Sequence, residues 1–143
     1  MNTVKDILTR KGSNAVFVTS GTSVLDMLKV MADKNIGSVV VKSPDGNFLG
    51  ITTERDYSRK VILQGKSSTE VMVEEIMSHD LPTVSPQDSI EHCMQLMTSN
   101  NIRYLPVFFN LRLEGIISMS DVVKETILNH EETISHLKEY INQ

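Results

Sequence analysis

Two short patterns in the chain place a carboxylate three residues after a hydroxyl, Thr53-x-x-Asp56 and Ser118-x-x-Asp121. Each pattern follows an aliphatic run and opens a predicted helix, so both side chains lie on one side of the first helical turn. The two oxygens of a carboxylate can accept hydrogen bonds from two neighbouring hydroxyls, such as a ribose cis-diol. The free N–H groups at the start of a helix favour a phosphate. The patterns therefore predict two sites for a ribose phosphate.

Helix capping is the alternative interpretation of the same residues. In a capping box, the hydroxyl of Thr53 or Ser118 accepts the N–H of the third helical residue, and the acidic side chain bonds back to the cap. A single occurrence favours capping. The pattern occurs in both halves at the same topological point, however, and Asp is shorter than the Glu or Gln that the box prefers. We therefore favour a binding role for at least one of the two sites, while capping and binding can coexist.

An internal repeat positions the two patterns. Residues 16–41 align with residues 82–107 at a constant offset of 66, without a gap. Two further segments align in the same order, 50–56 with 115–121 and 4–8 with 73–77. Because self-similarity of this length indicates a duplicated structural unit, we divide the chain into a first repeat, 1–66, and a second repeat with a C-terminal helix, 67–143.

Each repeat predicts the element order β-α-β-β-α, in the α/β (α+β) class. In the first repeat, a strand around Phe17 precedes a helix beginning near Val24, and strands at 38–42 and 48–52 flank the turn residues 44–47. The second repeat has matching strands at 104–108 and 113–117. A three-stranded sheet with helices on one face leaves its other face uncovered. We therefore expect the two repeats to pack together with pseudo-twofold symmetry.

The C-terminal tail predicts a long helix from Ser120 onward. Its apolar positions alternate between spacings of four and three, as in a coiled coil: Val123, Ile127, His130, Ile134, Leu137 and Ile141. The tail covers fewer than three heptads and contains a polar histidine, so two interpretations stay open. The helix either folds back on its own core or forms a dimer contact, and we favour the dimer.

Composition limits the classes of function. The chain has 143 residues, 40% of them hydrophobic, and a formal net charge of -4. This charge gives no basis for nucleic-acid binding, and no apolar run is long enough to cross a membrane. The first twenty residues have no continuous apolar segment typical of a secretion signal, so we expect a cytoplasmic protein. A lone cysteine, Cys93, agrees with a reducing compartment.

Four segments carry a family resemblance over nearly the whole chain: 50–57, 75–77, 102–107 and 115–123. The sequence resembles the tandem cystathionine-β-synthase (CBS) domain pair, and most closely the small stand-alone bacterial members. The resemblance implies a regulatory module, usually a homodimer, that binds AMP, ADP, ATP, NAD or S-adenosylmethionine and modulates a partner protein. It implies no catalytic residue, no catalytic cofactor and no metal site. The alternative is a constitutive dimeric interaction module with vestigial ligand sites, using the C-terminal helix and Phe109.

Arg55 and Arg103 are the predicted counter-charges for a phosphate. The alternative for each is a solvated surface position, paired with a neighbouring acid. The resemblance further implies an apolar slot for adenine, formed by Phe17, Val18, Ile36 and Ser38 in the first repeat and by Val84, Ile102, Tyr104 and Pro106 in the second. Core packing is the alternative for the aliphatic residues. Tyr104 and Ser120 depart from the family pattern, so the second site matches it less well than the first.

Overall fold

The computed structural model of the chain describes residues 2–12 and 15–141, apart from the side chains of Thr133, His136 and Tyr140. The elements follow the order α1 (Val4–Lys11), β1 (Phe17–Thr19), α2 (Val24–Lys34), β2 (Ser38–Lys42), β3 (Phe48–Thr53), α3 (Glu54–Lys60), α4 (Val73–Ile76), α5 (Ile90–Asn100), β4 (Tyr104–Phe109), β5 (Arg112–Ser118) and α6 (Met119–Ile141). This mixture of helices and strands confirms the predicted α+β class.

The chain forms two compact units, a middle unit (Ala15–Leu81) and an outer unit (Met1–Asn14 with Pro82–Gln143). Each unit combines parts of the two predicted repeats, 1–66 and 67–143. The first helix of each repeat belongs to the unit that holds the strands of the other repeat. Helix α1 buries Val4 and Ile7 in the core of the outer unit. Helix α4 buries Val73 and Ile76 in the core of the middle unit. Each core is therefore completed by a helix from the other repeat.

The middle unit contains the predicted three-stranded sheet. Strand β1 pairs parallel with β2, and β2 pairs antiparallel with β3. Helix α2 begins after Ser23, whose side chain accepts the backbone N–H of Asp26, and ends at Asn35 in the left-handed region with φ 53°. The apolar face of α2 packs on the sheet through Met27 and Met31. The structure thus confirms the element order predicted for the first repeat.

The outer unit contains a shorter sheet than the sequence predicts. Strands β4 and β5 form an antiparallel pair, and the strand expected around Val84 is reduced to a parallel bridge with Val107. Two backbone hydrogen bonds hold this bridge, from Val84 N to the Pro106 carbonyl and from Phe108 N to the Val84 carbonyl. Pro82 and Pro86 flank the bridge and have no N–H to donate, which prevents a longer ladder.

The backbone of β3, the strand that ends at Thr53, lies close to the backbone of Ser78. Ile51 and Ser78 exchange two backbone hydrogen bonds, of 3.0 and 2.9 Å, between N–H and carbonyl groups. The neighbouring Gly50 is buried against the Ser78 carbonyl and lies where an added Cβ would also be 3.1 Å from the Met77 sulfur. Only glycine fits at this position without moving the backbone.

Candidate functional site

Thr53 and Asp56 lie where β3 ends and α3 begins, in the middle unit. The Thr53 hydroxyl accepts the backbone N–H of Asp56 at 3.1 Å, and Asp56 Oδ2 accepts the backbone N–H of Thr53 at 3.0 Å. The Thr53 hydroxyl also lies 3.2 Å from the same carboxylate oxygen. The capping box considered from the sequence is therefore formed in the folded chain.

Ser118 and Asp121 repeat this geometry where β5 meets α6, in the outer unit. Asp121 Oδ2 accepts the backbone N–H of Ser118 at 2.8 Å, and the Ser118 hydroxyl accepts the backbone N–H of Asp121 at 3.1 Å. The sheets add one cross-strand neighbour to each site: Ser38 lies opposite Thr53, and Tyr104 lies opposite Ser118. The two halves thus place the same hydroxyl and carboxylate at the same topological position.

A lysine ammonium neutralises each of the two carboxylates. Lys60 Nζ lies 3.1 Å from Asp56 Oδ1 and donates to the Ile76 carbonyl at 2.9 Å. Lys11 Nζ lies 2.7 Å from Asp121 Oδ2 and donates to the Ile116 carbonyl at 3.0 Å. Ile76 lies on α4 and Lys11 lies on α1, the two exchanged helices. Each site carboxylate is therefore linked through a lysine to the helix that the other repeat supplies.

Asp121 has the more open carboxylate of the two. Both of its hydrogen bonds among the described residues end on Oδ2, whereas Asp56 uses Oδ2 for the cap and Oδ1 for Lys60. Burial by itself raises the pKa of Asp121, but the hydrogen bonds from Lys11 and Ser118 and the lysine charge outweigh it and hold the pKa below its ordinary value. Asp121 is therefore ionised at neutral pH, and the bonds from Lys11 and the Ser118 backbone leave its Oδ1 without a contact of this kind among the described residues.

Neither a capping box nor its sequence pattern is specific to these sites. Thr3 and Asp6 carry the same pattern at the start of α1, where Asp6 Oδ2 accepts the backbone N–H of Thr3 at 2.9 Å. In the part of the chain that the structure describes, no lysine or arginine pairs with Asp6. The position between a strand and a helix, together with the paired lysine, distinguishes Asp56 and Asp121 from this simple cap.

Neither predicted arginine contacts Asp56 or Asp121 among the described residues. The side chains of Arg55 and Arg103 are exposed and form no ion pair within the described ranges. The Arg103 carbonyl accepts the backbone N–H of Met119 at 2.8 Å, so its backbone lies beside the start of α6. Lys11 was missed because it lies 110 residues from Asp121 in the sequence, and no local pattern links the two.

The residues predicted to line an apolar slot differ in exposure. Val18 and Val84 are members of the two hydrophobic cores, and Pro106 is buried beside Val84, which agrees with core packing. Phe17 is 54% exposed, and Lys42 Nζ lies 4.4 Å from the centre of its ring. The other four residues are half-buried: Ile36, Ser38, Ile102 and Tyr104.

A buried acidic residue in α6 was not anticipated from the sequence. Glu125 is 2% exposed, and its carboxylate accepts hydrogen bonds from the Asn2 amide and from the Arg10 guanidinium. At the offset of the aligned strand and helix segments, Glu125 occupies the position of Lys60 in the first repeat. Lys60 contacts α4 as a cation, and Glu125 contacts Arg10 of α1 as an anion. Each residue therefore binds the helix that the other repeat supplies. Only the fold shows that this glutamate is a docking residue for the N-terminal segment.

The other reactive groups in the described part of the chain form no further site. Cys93 is fully buried, and burial together with the charges of Asp88 and Glu91 raises the pKa of its thiol to about 11. Within the described residues, no group of three or more His, Cys, Asp or Glu side chains could hold a metal ion. No helix in the described ranges combines the length and the apolar character that a membrane span requires.

Comparison with known families and structures places this geometry in context. The family described as CBS domain matches residues 4–62 and 73–127. The chain is 38% identical over 147 residues to the mitochondrial CBS domain-containing protein CBSX3 of Arabidopsis thaliana, covering 97% of this chain and 71% of that protein. The chain spans less than half the length of two other curated relatives, from Methanopyrus kandleri and Thermofilum pendens.

Solved structures give the same result. A protein from Burkholderia ambifaria, described as a signal-transduction protein with CBS domains, aligns with a TM-score of 0.85 and 44% identity, covering 89% of this chain and 95% of that one. A hexameric CBS-CP12 protein from bloom-forming cyanobacteria aligns with a TM-score of 0.75 and 29% identity, covering 86% of this chain and 70% of that one. The resemblance seen in the sequence is thereby confirmed.

Proposed function

The chain belongs to the CBS domain family, and on that premise we propose that it is a non-catalytic regulatory protein that binds an adenosyl ligand such as AMP, ADP, ATP, NAD or S-adenosylmethionine. Ligand binding then modulates a partner protein. The observation that carries the proposal is the duplicated junction of strand and helix, where Asp56 and Asp121 have the same backbone contacts and each pairs with a lysine. Regulation agrees with the description of the Burkholderia ambifaria relative as a signal-transduction protein.

The ribose hydroxyls bind the carboxylate at each site in this proposal. Asp121 is the stronger candidate because its Oδ1 has open acceptor positions and its side chain stays ionised. At Asp56, a diol competes with Lys60 for Oδ1. Lys11 and Lys60 supply the positive charge for a phosphate, in place of the arginines favoured from the sequence. Arg55 and Arg103 are exposed and remain available to a longer ligand.

Regulation requires that the ligand bind two states of the protein with different affinity. The lysines provide the link in our proposal. A ligand on Asp121 draws Lys11 from the carboxylate toward the phosphate, and Lys11 lies on α1, a helix that belongs to the first repeat. A ligand on Asp56 acts in the same way on the hydrogen bond between Lys60 and α4. Ligand occupancy is thereby coupled to the exchanged helices.

A constitutive interaction module with vestigial ligand sites is the second candidate. It is favoured by the internal hydrogen bonds that already engage both carboxylates and by the exposed apolar residues of α6. Phe109, which the sequence analysis predicted as a partner contact of this module, is 43% exposed. A cytoplasmic location stays a prediction, and the Arabidopsis thaliana relative is described as mitochondrial.

Thermal unfolding with each of the adenosyl compounds tests the proposal. A ligand at one hundred times its dissociation constant adds about 2.7 kcal/mol of stability, which raises the melting temperature by roughly 5 to 10 °C. We expect one compound to raise the midpoint of the wild type, and Asp121→Ala to abolish most of the shift. Asp56→Ala is expected to remove any remaining shift.

Asp6→Ala is the matched control, because it removes the carboxylate of a similar cap that has no paired lysine. Its baseline stability falls, but its ligand-induced shift stays that of the wild type. If no adenosyl compound changes the midpoint, the interaction-module candidate is favoured. Equal ligand shifts in all three variants and the wild type would refute the assignment of Asp56 and Asp121.

A further inference from the structure

Two neighbouring ion pairs join helix α1 to helix α6 in the outer unit. Arg10 and Lys11, the last two residues of α1, contact carboxylates that lie four residues apart on α6. Arg10 Nη1 lies 2.5 Å from Glu125 Oε1, and Lys11 Nζ lies 2.7 Å from Asp121 Oδ2. Residues four apart on a helix share one face. The two carboxylates therefore meet the same end of α1.

Glu125 is the more deeply buried of these two acids. Its side chain is 3% exposed, whereas that of Asp121 is 17% exposed. One carboxylate oxygen of Glu125 accepts a hydrogen bond from the Arg10 guanidinium, and the other accepts one from the Asn2 side-chain amide. A buried carboxylate is costly unless it is paired and hydrogen-bonded. Because Asn2 precedes α1 and Arg10 lies in its last turn, one side chain holds α1 at both ends.

The first repeat places a different residue at the position of Glu125. There, Lys60 contacts the Asp56 carboxylate directly and also donates to a backbone carbonyl of α4. One residue thus neutralises the carboxylate and binds the exchanged helix. A glutamate at this position cannot neutralise Asp121, and the cation comes from α1 instead, through Lys11. In the second repeat, Lys11 therefore supplies the charge, and Glu125 binds the helix that carries it.

We propose that Glu125 is a positioning residue for the Asp121 site. Its contacts with Asn2 and Arg10 fix the placement of α1 and thereby the position of the Lys11 ammonium. This role rests on the proposed function, in which the Asp121 carboxylate is part of the ligand site. A lysine ammonium is a point charge on a flexible stem, and the Lys11 side chain is 39% exposed. Its distance from Asp121 therefore depends on where α1 is held.

The pKa of the Asp121 carboxyl reports the position of Lys11. Burial raises this pKa, but the hydrogen bonds from Lys11 and Ser118 and the lysine charge hold the pKa below its ordinary value. Removal of the negative charge of Glu125, one helical turn away, by itself lowers the pKa of Asp121 further, because a like charge disfavours the ionised form. Loss of the Lys11 contact raises the pKa. The direct effect of the charge and the positioning effect therefore differ in sign.

Titration of the Asp121 carboxyl carbon by NMR, in the full chain, measures these effects. We expect Lys11→Met to raise the pKa of Asp121, and Glu125→Gln to raise it as well, despite the lost negative charge. In the double variant, Glu125→Gln should no longer raise the pKa, because no ammonium is left to position. Asn2→Ala removes a partner of Glu125 without changing any charge, and it should also raise the pKa.

Cys93→Ala is the matched control, because it removes a fully buried, uncharged group from the same hydrophobic core. It should leave the pKa of Asp121 unchanged. A pKa that stays or falls in Glu125→Gln, while Lys11→Met raises it, would overturn the positioning role. A pKa that does not respond to Lys11→Met, or that rises equally in the control, would also overturn it. Asn2→Ala decides the question if Glu125→Gln does not fold.

Calorimetric titration with AMP extends the test to the ligand. Because Lys11 supplies the charge for a phosphate in the proposed function, we expect Glu125→Gln to weaken AMP binding by about fivefold or more. The same substitution should have little further effect in Lys11→Met, and binding of adenosine, which has no phosphate, should change less. AMP affinity that falls in Lys11→Met but not in Glu125→Gln would overturn the role of Glu125. A wild type that binds neither compound would contradict AMP as the ligand of the proposed function, whereas the Asp121 titration still decides the role of Glu125.

Discussion

Replacing Thr52 with valine tests how the start of the site is packed. Thr52 is 0% exposed in β3, and its hydroxyl finds no hydrogen-bond partner among the described residues. A buried polar group without a partner costs about 1 to 3 kcal/mol in desolvation. Valine has nearly the same shape and the same preference for strands, so the substitution removes this cost without opening a cavity. At the aligned position of the second repeat, the fully buried Ile117 shows that an aliphatic side chain is accepted there.

The expected effect of Thr52→Val is a gain of about 1 to 2 kcal/mol in the free energy of unfolding, or roughly 2 to 6 °C in melting temperature. Urea titration followed by circular dichroism measures the free energy, with an unchanged slope as the check that the unfolded surface is the same. Thr53→Val is the matched comparison at the next position. It removes the hydroxyl that caps α3 and should cost about 1 kcal/mol.

The same substitution at two neighbouring residues is therefore expected to change stability in opposite directions. Thr52→Ser adds a second check, because it keeps the hydroxyl and removes a buried methyl group, so it should destabilise. If Thr52→Val lowers the free energy of unfolding as much as Thr53→Val does, the Thr52 hydroxyl is bonded in the folded protein and the reasoning is refuted.

Three further predictions follow from single contacts. Gly50→Ala should destabilise the middle unit by about 1 to 3 kcal/mol, because the new Cβ meets the Ser78 carbonyl; urea titration measures this loss, and Gly46→Ala is the control with open space but a positive φ of 89°. The Cys93 thiol, whose pKa is raised to about 11, should react with a disulfide reagent at pH 8 only as the protein unfolds; rapid labelling of the folded chain would contradict its burial. The lowered pKa of Asp121 means that its charged form stabilises the fold above its unfolded pKa of about 3.9 and that this contribution is lost as pH falls through the lower folded pKa. Asp121→Asn should therefore be less stable than the wild type at pH 7 and lose less stability on acidification below about pH 4, as urea titrations at several pH values would show; parallel pH profiles would contradict it.

Contacts between residues close in the sequence were predictable to a large extent. The capping boxes at Thr53 and Ser118 join residues only three apart, and the hairpin between β2 and β3 follows from its turn residues. The family resemblance was likewise visible in four segments of the sequence, 50–57, 75–77, 102–107 and 115–123. The β-α-β-β-α order predicted a first strand near Val84 in the second repeat, and it is reduced to a bridge because Pro82 and Pro86 cannot donate to a longer ladder.

The order of the elements, the positions of the two carboxylates and the periodicity of α6 could be predicted from the sequence, because each depends on propensity and spacing within a few residues. The charge that meets each carboxylate depends instead on tertiary packing. Lys11 reaches Asp121, and Asn2 and Arg10 reach Glu125, only because α1 packs in the outer unit rather than in its own repeat. Such contacts depend on the path of the chain through the fold. Because the two repeats are similar, each leading helix could pack against either of two similar cores, and local sequence does not choose between them. The structure also distinguishes the exposed apolar residues of α6 from the buried Val122 on the same helix. Amphipathic spacing shows that one face of a helix is apolar but not what covers that face.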